Sequence, residues 1–248
     1  MKPLVLNTLL ALLALALFLA SLGVGPAELG LSESLAGLFA GGSEAAEIIM
    51  REIRLPRALL GLAIGFTLGI SGAVLQGFLR NPLAEPGLIG VSGMASLGAV
   101  ILFYLGLAGN TLYALPAGAL LGALIAVALL LALAARSSST LTLILAGVAL
   151  SSLAGALTSL VLNLSPNPFA SYEIIFWLLG SLKDRSMEHV VLALPLMAAG
   201  WLLIALSGRA IDALSLGEEA AQSLGIHMAR TRLLIIAGVA LCVGAATA

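Results

Sequence analysis

Arg54-Leu55-Pro56-Arg57, an uncharged apolar run from Ala58 to Leu79, the turn Arg80-Asn81-Pro82-Leu83-Ala84-Glu85-Pro86-Gly87, and a second apolar run beyond it decide the fold. Two membrane-length segments flank a tight polar turn. The first carries Gly61, Gly65, Gly69 and Gly72, and the second Gly87, Gly90 and Gly93, at spacings of three or four. Small residues at that spacing let helix backbones approach closely in lipid, where no hydrophobic drive joins helices. The pattern predicts packed membrane helices and names no function.

The rest of the chain reads the same way. Its 248 residues are 61% apolar and 9% charged, against about 25% charged in a soluble domain, and mean hydropathy is +1.17. The fold class expected is all-α, a polytopic membrane helix bundle forming one transmembrane domain over 1–248. Runs free of Asp, Glu, Lys and Arg lie at Pro3–Val24, Ala58–Leu79, Gly87–Ala108, Thr111–Ala135, Leu141–Leu164, Val190–Ser207 and Leu233–Ala248. At roughly 20 residues per crossing they predict seven transmembrane helices, the last cut short. A net charge of −1 gives no basis for a nucleic-acid partner. Cys242 is the single cysteine, so no intramolecular disulfide can form. Leu4–Leu22 after Lys2 is longer than the about 7–15 residues of a signal-peptide core, which favours a retained first helix.

The polar segments between these runs are more specific. Gly25 to Ile53, with Glu28, Glu33, Glu44 and Glu47, is expected to leave the membrane and to form a short surface helix near Ser32–Leu38. Arg51, Arg54 and Arg57 follow. Arginines at a helix mouth commonly snorkel to the interface, but their planar fork also suits carboxylate partners. Pro82 and Pro86 oppose helix continuation, and Asn81 can bond its own backbone two residues on. Ser165-Pro166-Asn167-Pro168 ends the fifth run. The aromatic stretch Tyr172–Leu182 is too short to span, so an interfacial or re-entrant helix is expected. Gly208–Arg232 is the longest loop. In it, Ser215-Leu216-Gly217-Glu218 fits a capping box, Ala220, Ala221 and Leu224 give an apolar face, and Gly225 suits a left-handed cap. A helix of two to three turns is expected there, too short to be stable unless packed.

Several function classes fall away. No span so read holds a charged residue, and neither His189 nor His227 lies in one, so no chain of ionisable groups crosses the membrane. With Lys2 and Lys183 as its only lysines, the chain has no phosphate-binding P-loop. Nor does it show a metal-ligand cluster or a catalytic triad. A pump built on it needs a separate ATPase.

Arg54-Leu55-Pro56-Arg57, Gln76, Arg80–Gly87 and Glu218-Glu219-Ala220-Ala221 with Gly225, in that order along nearly the whole chain, resemble the FecCD-type permeases. These are membrane subunits of ABC importers for iron chelates, haem and cobalamin. The resemblance implies a non-catalytic permease in the bacterial inner membrane, with its N-terminus inside. Its partners would be a second permease copy in a homodimer, a cytoplasmic ABC ATPase dimer, an extracytoplasmic binding protein and membrane lipid, and no nucleic acid. The chain itself would hold no cofactor, ATP and Mg being used by the ATPase. With that orientation the inner loops hold Lys2, Arg80, Arg136, Arg209, Arg230 and Arg232, and the outer loops Arg51, Arg54, Arg57, Lys183 and Arg185, almost no positive-inside bias.

Residue by residue, the resemblance implies that Arg54 and Arg57 dock the binding protein. Asn81 and Leu83, with Ser138, Ser139 and Thr140, would form a cytoplasmic gate. Glu218, Glu219, Ala220, Ala221 and Gly225 would couple to the ATPase. Phe176-Trp177-Leu178-Leu179-Gly180-Ser181-Leu182 looks like the iron-chelate branch, with cobalamin and haem as alternatives. A secondary transporter or channel using broken helices and backbone carbonyls is the rival of another class. Relatives of this type run to about ten helices, so the chain is expected to be a C-terminally truncated piece.

Overall fold

The computed structural model describes residues 3–25, 27, 29–39, 41–111, 113–136, 140–165 and 168–247. They form helices throughout: α1 (Pro3–Gly23), α2 (Leu31–Phe39), α3 (Glu44–Ile48), α4 (Leu55–Leu79), α5 (Val91–Tyr104), α6 (Ala114–Arg136), α7 (Thr140–Asn163), α8 (Pro168–Leu178), α9 (Met187–Leu206), α10 (Gly208–Leu214), α11 (Glu218–Ser223) and α12 (Met228–Thr247). Among the described residues, 6 helices are long and apolar enough to cross a membrane. The all-α expectation holds. α2 covers the surface helix expected near Ser32–Leu38, and α8, with 11 residues, is too short to span, as its sequence indicated.

Three boundaries differ from the sequence reading. A π-helical turn, Ile49–Arg54, joins α3 to α4 without a break, so the helix expected from Ala58 starts at Glu44. The third expected span, Gly87–Ala108, is divided. A 3-10 turn at Pro86–Ile89 precedes α5, and Gly90 between them has φ 75°. α5 has 14 residues, which at 1.5 Å per residue is about 21 Å, short of a hydrocarbon core of about 30 Å. Third, α9 and α12 begin before the uncharged runs. Glu188 and His189 fall in the first turn of α9, Arg230 falls in that of α12, and Arg232 follows just beyond it. The expectation that no spanning helix carries a charge or a histidine is corrected there.

The chain forms two compact units. The first comprises Met1–Gly65 with Ser181–Leu194. Its small core joins Leu22, Met50 and Ala58 to Phe18, Leu29, Leu38 and Leu55. Arg51 pairs with Glu47 at 2.9 Å and donates to the Leu38 carbonyl at 3.2 Å. Leucines along α1, such as Leu9, Leu13 and Leu17, are exposed. Exposed apolar surface on that scale suits lipid contact.

The second unit comprises Phe66–Gly180 with Pro195–Ala248. Its core is built from α4, α5, α6, α7 and α12, with Leu75, Val91, Leu130, Ile235 and Val239 almost wholly buried. Backbones cross closely where glycines meet. A Cβ on Gly98 would collide with the Gly118 carbonyl, and one on Gly122 with the Met94 carbonyl. One on Gly200 would lie 2.8 Å from the Gly238 carbonyl. Gly90 needs its lack of a side chain twice, for its left-handed φ and because a Cβ would stand 2.7 Å from the Gly147 carbonyl. Three of the α4 glycines expected to line a packing face behave otherwise. A Cβ on Gly65, Gly69 or Gly72 would meet nothing within 4 Å, so the close packing expected on that face is not made among the described residues. The Trp201 indole N–H donates to Thr67 Oγ1 at 2.9 Å, and Phe66 packs edge-on against the same indole.

Candidate functional site

The long loop before α12 is the best-built polar feature of the second unit. Ser215 does not cap α11. It has φ −60° and ψ −27°, closes α10, and donates its hydroxyl to the Asp212 carbonyl at 2.6 Å. An N-cap needs non-helical backbone, and Gly217 supplies it from the positive-φ region that favours glycine, with φ 111° and ψ 158° and no side-chain cap. The expected capping box is therefore absent, and Glu218 is free to turn elsewhere. It accepts from Arg232 Nη2 at 3.0 Å. At the other end Gly225 has φ 84°. Its N–H donates to the Gln222 carbonyl, and the N–H of Ile226 to that of Ala221. This is a Schellman closure, as the glycine predicted.

α11 is shorter than expected, 6 residues, and is held by what it buries. Ala221 is 0% exposed and joins the core of the second unit. The other side of α11 is open. Glu219, Gln222 and Ser223 are exposed, and Leu216 and Leu224 flank the helix at 70% and 65% exposure. Of the expected coupling residues, Glu218 and Ala221 are thus anchors, Glu219 is presented, Ala220 is half-buried and Gly225 shapes the exit. Leu224, expected on the packed apolar face with Ala220 and Ala221, is turned out instead, and Leu216 reads in the sequence only as part of the capping box. Arg232 escaped the sequence reading because nothing local links positions 14 residues apart.

The turn after α4 is rigid, as its residues predicted. Asn81 Oδ1 accepts the N–H of Leu83 at 2.9 Å, the N–H of Ala84 donates to the Asn81 carbonyl, and Gln76 Nε2 donates to the Ala84 carbonyl at 3.4 Å. Ala84 is buried while Asn81 and Leu83 are exposed, Leu83 at 82%. The broken backbone that follows is tied to α7 by Ser151, whose hydroxyl donates to the Gly87 carbonyl at 3.1 Å. Ser138 and Ser139, expected to share a gate with Asn81 and Leu83, lie outside the described residues, and Thr140 opens α7.

In the first unit the two expected docking arginines part company. Arg57 is exposed. Arg54 is 5% exposed and turned inward. Its Nη1 donates to the carbonyls of Leu22 and Gly23 at 3.0 and 3.2 Å, and its Nη2 to that of Ala27 at 2.6 Å. The first two are carbonyls of the last turn of α1, which lack helical partners and carry partial negative charge. Arg54 is therefore a brace closing α1 onto the segment that follows it, which corrects its expected place on a docking surface. Gly25 packs against the guanidinium, since a Cβ there would lie 3.0 Å from two of its nitrogens.

A family model described as the FecCD transport family matches residues 12–248. YvrB, an uncharacterized ABC transporter permease protein of Bacillus subtilis (strain 168), is 39% identical over 205 residues, 81% of this chain and 58% of its own. The ferric enterobactin transport system permease protein FepD of Escherichia coli (strain K12) is 39% identical over 215 residues, 85% of this chain and 63% of its own. The cobalamin import system permease protein BtuC of Halobacterium salinarum is 40% identical over 200 residues, 78% of this chain and 52% of its own. Among solved structures, an inward-facing metal-chelate type ABC transporter superposes with a TM-score of 0.82 at 31% identity, over 99% of this chain and 76% of the other. The chain thus spans between 52% and 63% of the length of these three curated relatives.

Proposed function

The chain belongs to the FecCD transport family, and from that premise we propose that it is permease sequence of a binding-protein-dependent ABC importer in the bacterial inner membrane. The observation that carries the reading is α11. A helix of 6 residues, anchored by Ala221 and Glu218, presents Glu219, Gln222 and Ser223 between two exposed leucines. A helix so short is not stable alone, so a rigidly held one with apolar flanks is suited to seat in a cleft on a partner. That partner is a cytoplasmic ABC ATPase dimer, which uses ATP and Mg while the permease hydrolyses nothing. A second permease copy completes a homodimer with the substrate pathway on its axis. Arg57 meets an external binding protein, and Arg54 supports that corner from within. Asn81 and Leu83, on a turn stiffened by the Asn81–Leu83 bond, form one half of a cytoplasmic gate, with Ser138, Ser139 and Thr140 as the other.

For the cargo we propose an iron(III)–siderophore chelate, supported by the Phe176–Leu182 string and by the likeness to FepD. The cobalamin reading is the second, favoured by the likeness to BtuC. The test uses the full-length permease with its cognate ATPase and binding protein in liposomes. Hydrolysis and uptake of radioiron-labelled siderophore and of labelled cobalamin are compared for wild type, Glu219→Arg/Leu224→Asp and Arg57→Glu. The α11 pair should lose the ATPase, and Arg57→Glu should lose only stimulation by the binding protein. If no ATPase associates with wild type and uptake follows an ion gradient, the secondary-transporter reading replaces this one.

A further inference from the structure

α11 is tied to α12 at both ends. At its C-terminal end the tie is covalent, with only Leu224–His227 between Ser223 and Met228. At its N-terminal end the tie is the 3.0 Å contact of Arg232 with Glu218. The Arg232 side chain is 7% exposed and that of Glu218 35%. A solvated ion pair contributes almost nothing, but this cation is enclosed, with its Nη2 on the Glu218 carboxylate. Between the two ties Ala221 is buried in the core of the second unit, the cluster that also holds Leu214 and Met228. α11 is therefore joined to α12 by a short linker at one end and by an ion pair at the other.

α12 is also the most enclosed of the membrane-length helices, with 67% of its spanning window buried against 39% or less in the others. It packs along α6 and α5. Its Gly244 lies close enough that an added Cβ would stand 2.8 Å from the Cβ of Ala123. A displacement applied at α11 passes straight into the helix with most of its surface inside the protein. Packed interiors of this density move as units and do not absorb such a displacement.

We propose that Arg232 is a positioning residue for energy coupling: by holding Glu218 it clips α11 to the foot of α12, so that the ATPase-facing helix and the membrane helix move as one body. The inference rests on the coupling role proposed above for α11. It assigns to Glu218 an internal duty, leaving contact with the ATPase to Glu219, Gln222, Leu216 and Leu224.

The experiment places a nitroxide label at Leu233→Cys, an exposed position beside Arg232 on α12, in the full-length permease with its cognate ATPase in liposomes. Cys242, the one cysteine of this sequence, is buried. Spectra are taken before and after trapping with Mg-ATP and vanadate. In the wild-type background trapping changes the line shape. Glu218→Gln should keep the ATPase bound and hydrolysis within about twofold, yet reduce the fraction of label that responds by about tenfold, within the usual range of coupling between sites. Arg232→Lys, which keeps the charge on a shorter reach, should retain part of the response, a rescue that loss of packing alone would not give. A full response in Glu218→Gln overturns the clip while leaving the coupling role of α11 intact. Failure of wild type to bind any ATPase overturns the coupling role and the clip with it.

Discussion

Replacing Arg54 with methionine separates a brace from a docking residue. Methionine keeps the length and the apolar stem but none of the donors. Three carbonyls, those of Leu22, Gly23 and Ala27, then lose their partner. A hydrogen bond from a charged donor contributes about 1.5–3 kcal/mol. The three share one guanidinium, and water can reach some of the vacated carbonyls, so the whole should come to about 3 kcal/mol rather than three times a single bond. For a chain of this size that corresponds to a fall in Tm of about 6–12 °C. The assay is thermal unfolding of the purified protein in detergent, paired with limited proteolysis across residues 24–30. Arg57→Met, at an exposed position, serves as the comparison and should move Tm by less than about 1 °C. The reasoning is refuted if Arg54→Met leaves Tm and the cleavage pattern unchanged while abolishing response to the binding protein.

Gly90→Ala should cost about 2–4 kcal/mol, combining left-handed strain with a Cβ 2.7 Å from the Gly147 carbonyl; unfolding in detergent reads it, and Gly65→Ala, in open space, should cost nothing measurable. Thr67→Val removes the acceptor for the Trp201 indole and should destabilise by about 1 kcal/mol, with a shift in tryptophan emission. Asn81→Ala removes the bond to the Leu83 N–H; folding should change by less than about 1 kcal/mol, while leakage of substrate through resting vesicles should rise if the turn is part of a gate.

The bundle was legible because its signal is composition, which tertiary contacts cannot reverse. Uncharged runs of membrane length became helices, and the aromatic stretch Tyr172–Leu182, read as too short to span, lies partly in α8, a helix of 11 residues. What failed was local. Gly90 read as one more small residue in a packing stripe, whereas its left-handed φ breaks the span in two, a choice fixed by how closely α7 approaches. Ser215 and Glu218 matched a capping box by spacing, but Ser215 was already committed to ending α10. Charges were assumed to mark the ends of spans. Arg232 shows the limit of that assumption, since an arginine with an internal carboxylate partner can be carried inside the helix.

The division of labour within α11 follows from its size. Six residues cannot hold a helical shape by backbone bonds alone, because nucleation costs more than so few bonds return. Rigidity must then be taken from side chains, and every side chain used inward is lost to an outward partner. Here Ala221 and Glu218 go inward, Gly217 and Gly225 set the backbone at the two ends, and what remains outward is Glu219, Gln222, Ser223 and the flanking leucines. A motif of acidic and alanine residues closed by glycine is thus two overlapping instructions, one for anchoring and one for contact. Substitutions at Glu218 and Glu219, adjacent and chemically identical, should consequently fail in different ways. Loss of Glu218 should leave an ATPase that binds and hydrolyses without moving α12, and charge reversal at Glu219 should leave a permease whose α12 can still move but which no ATPase holds.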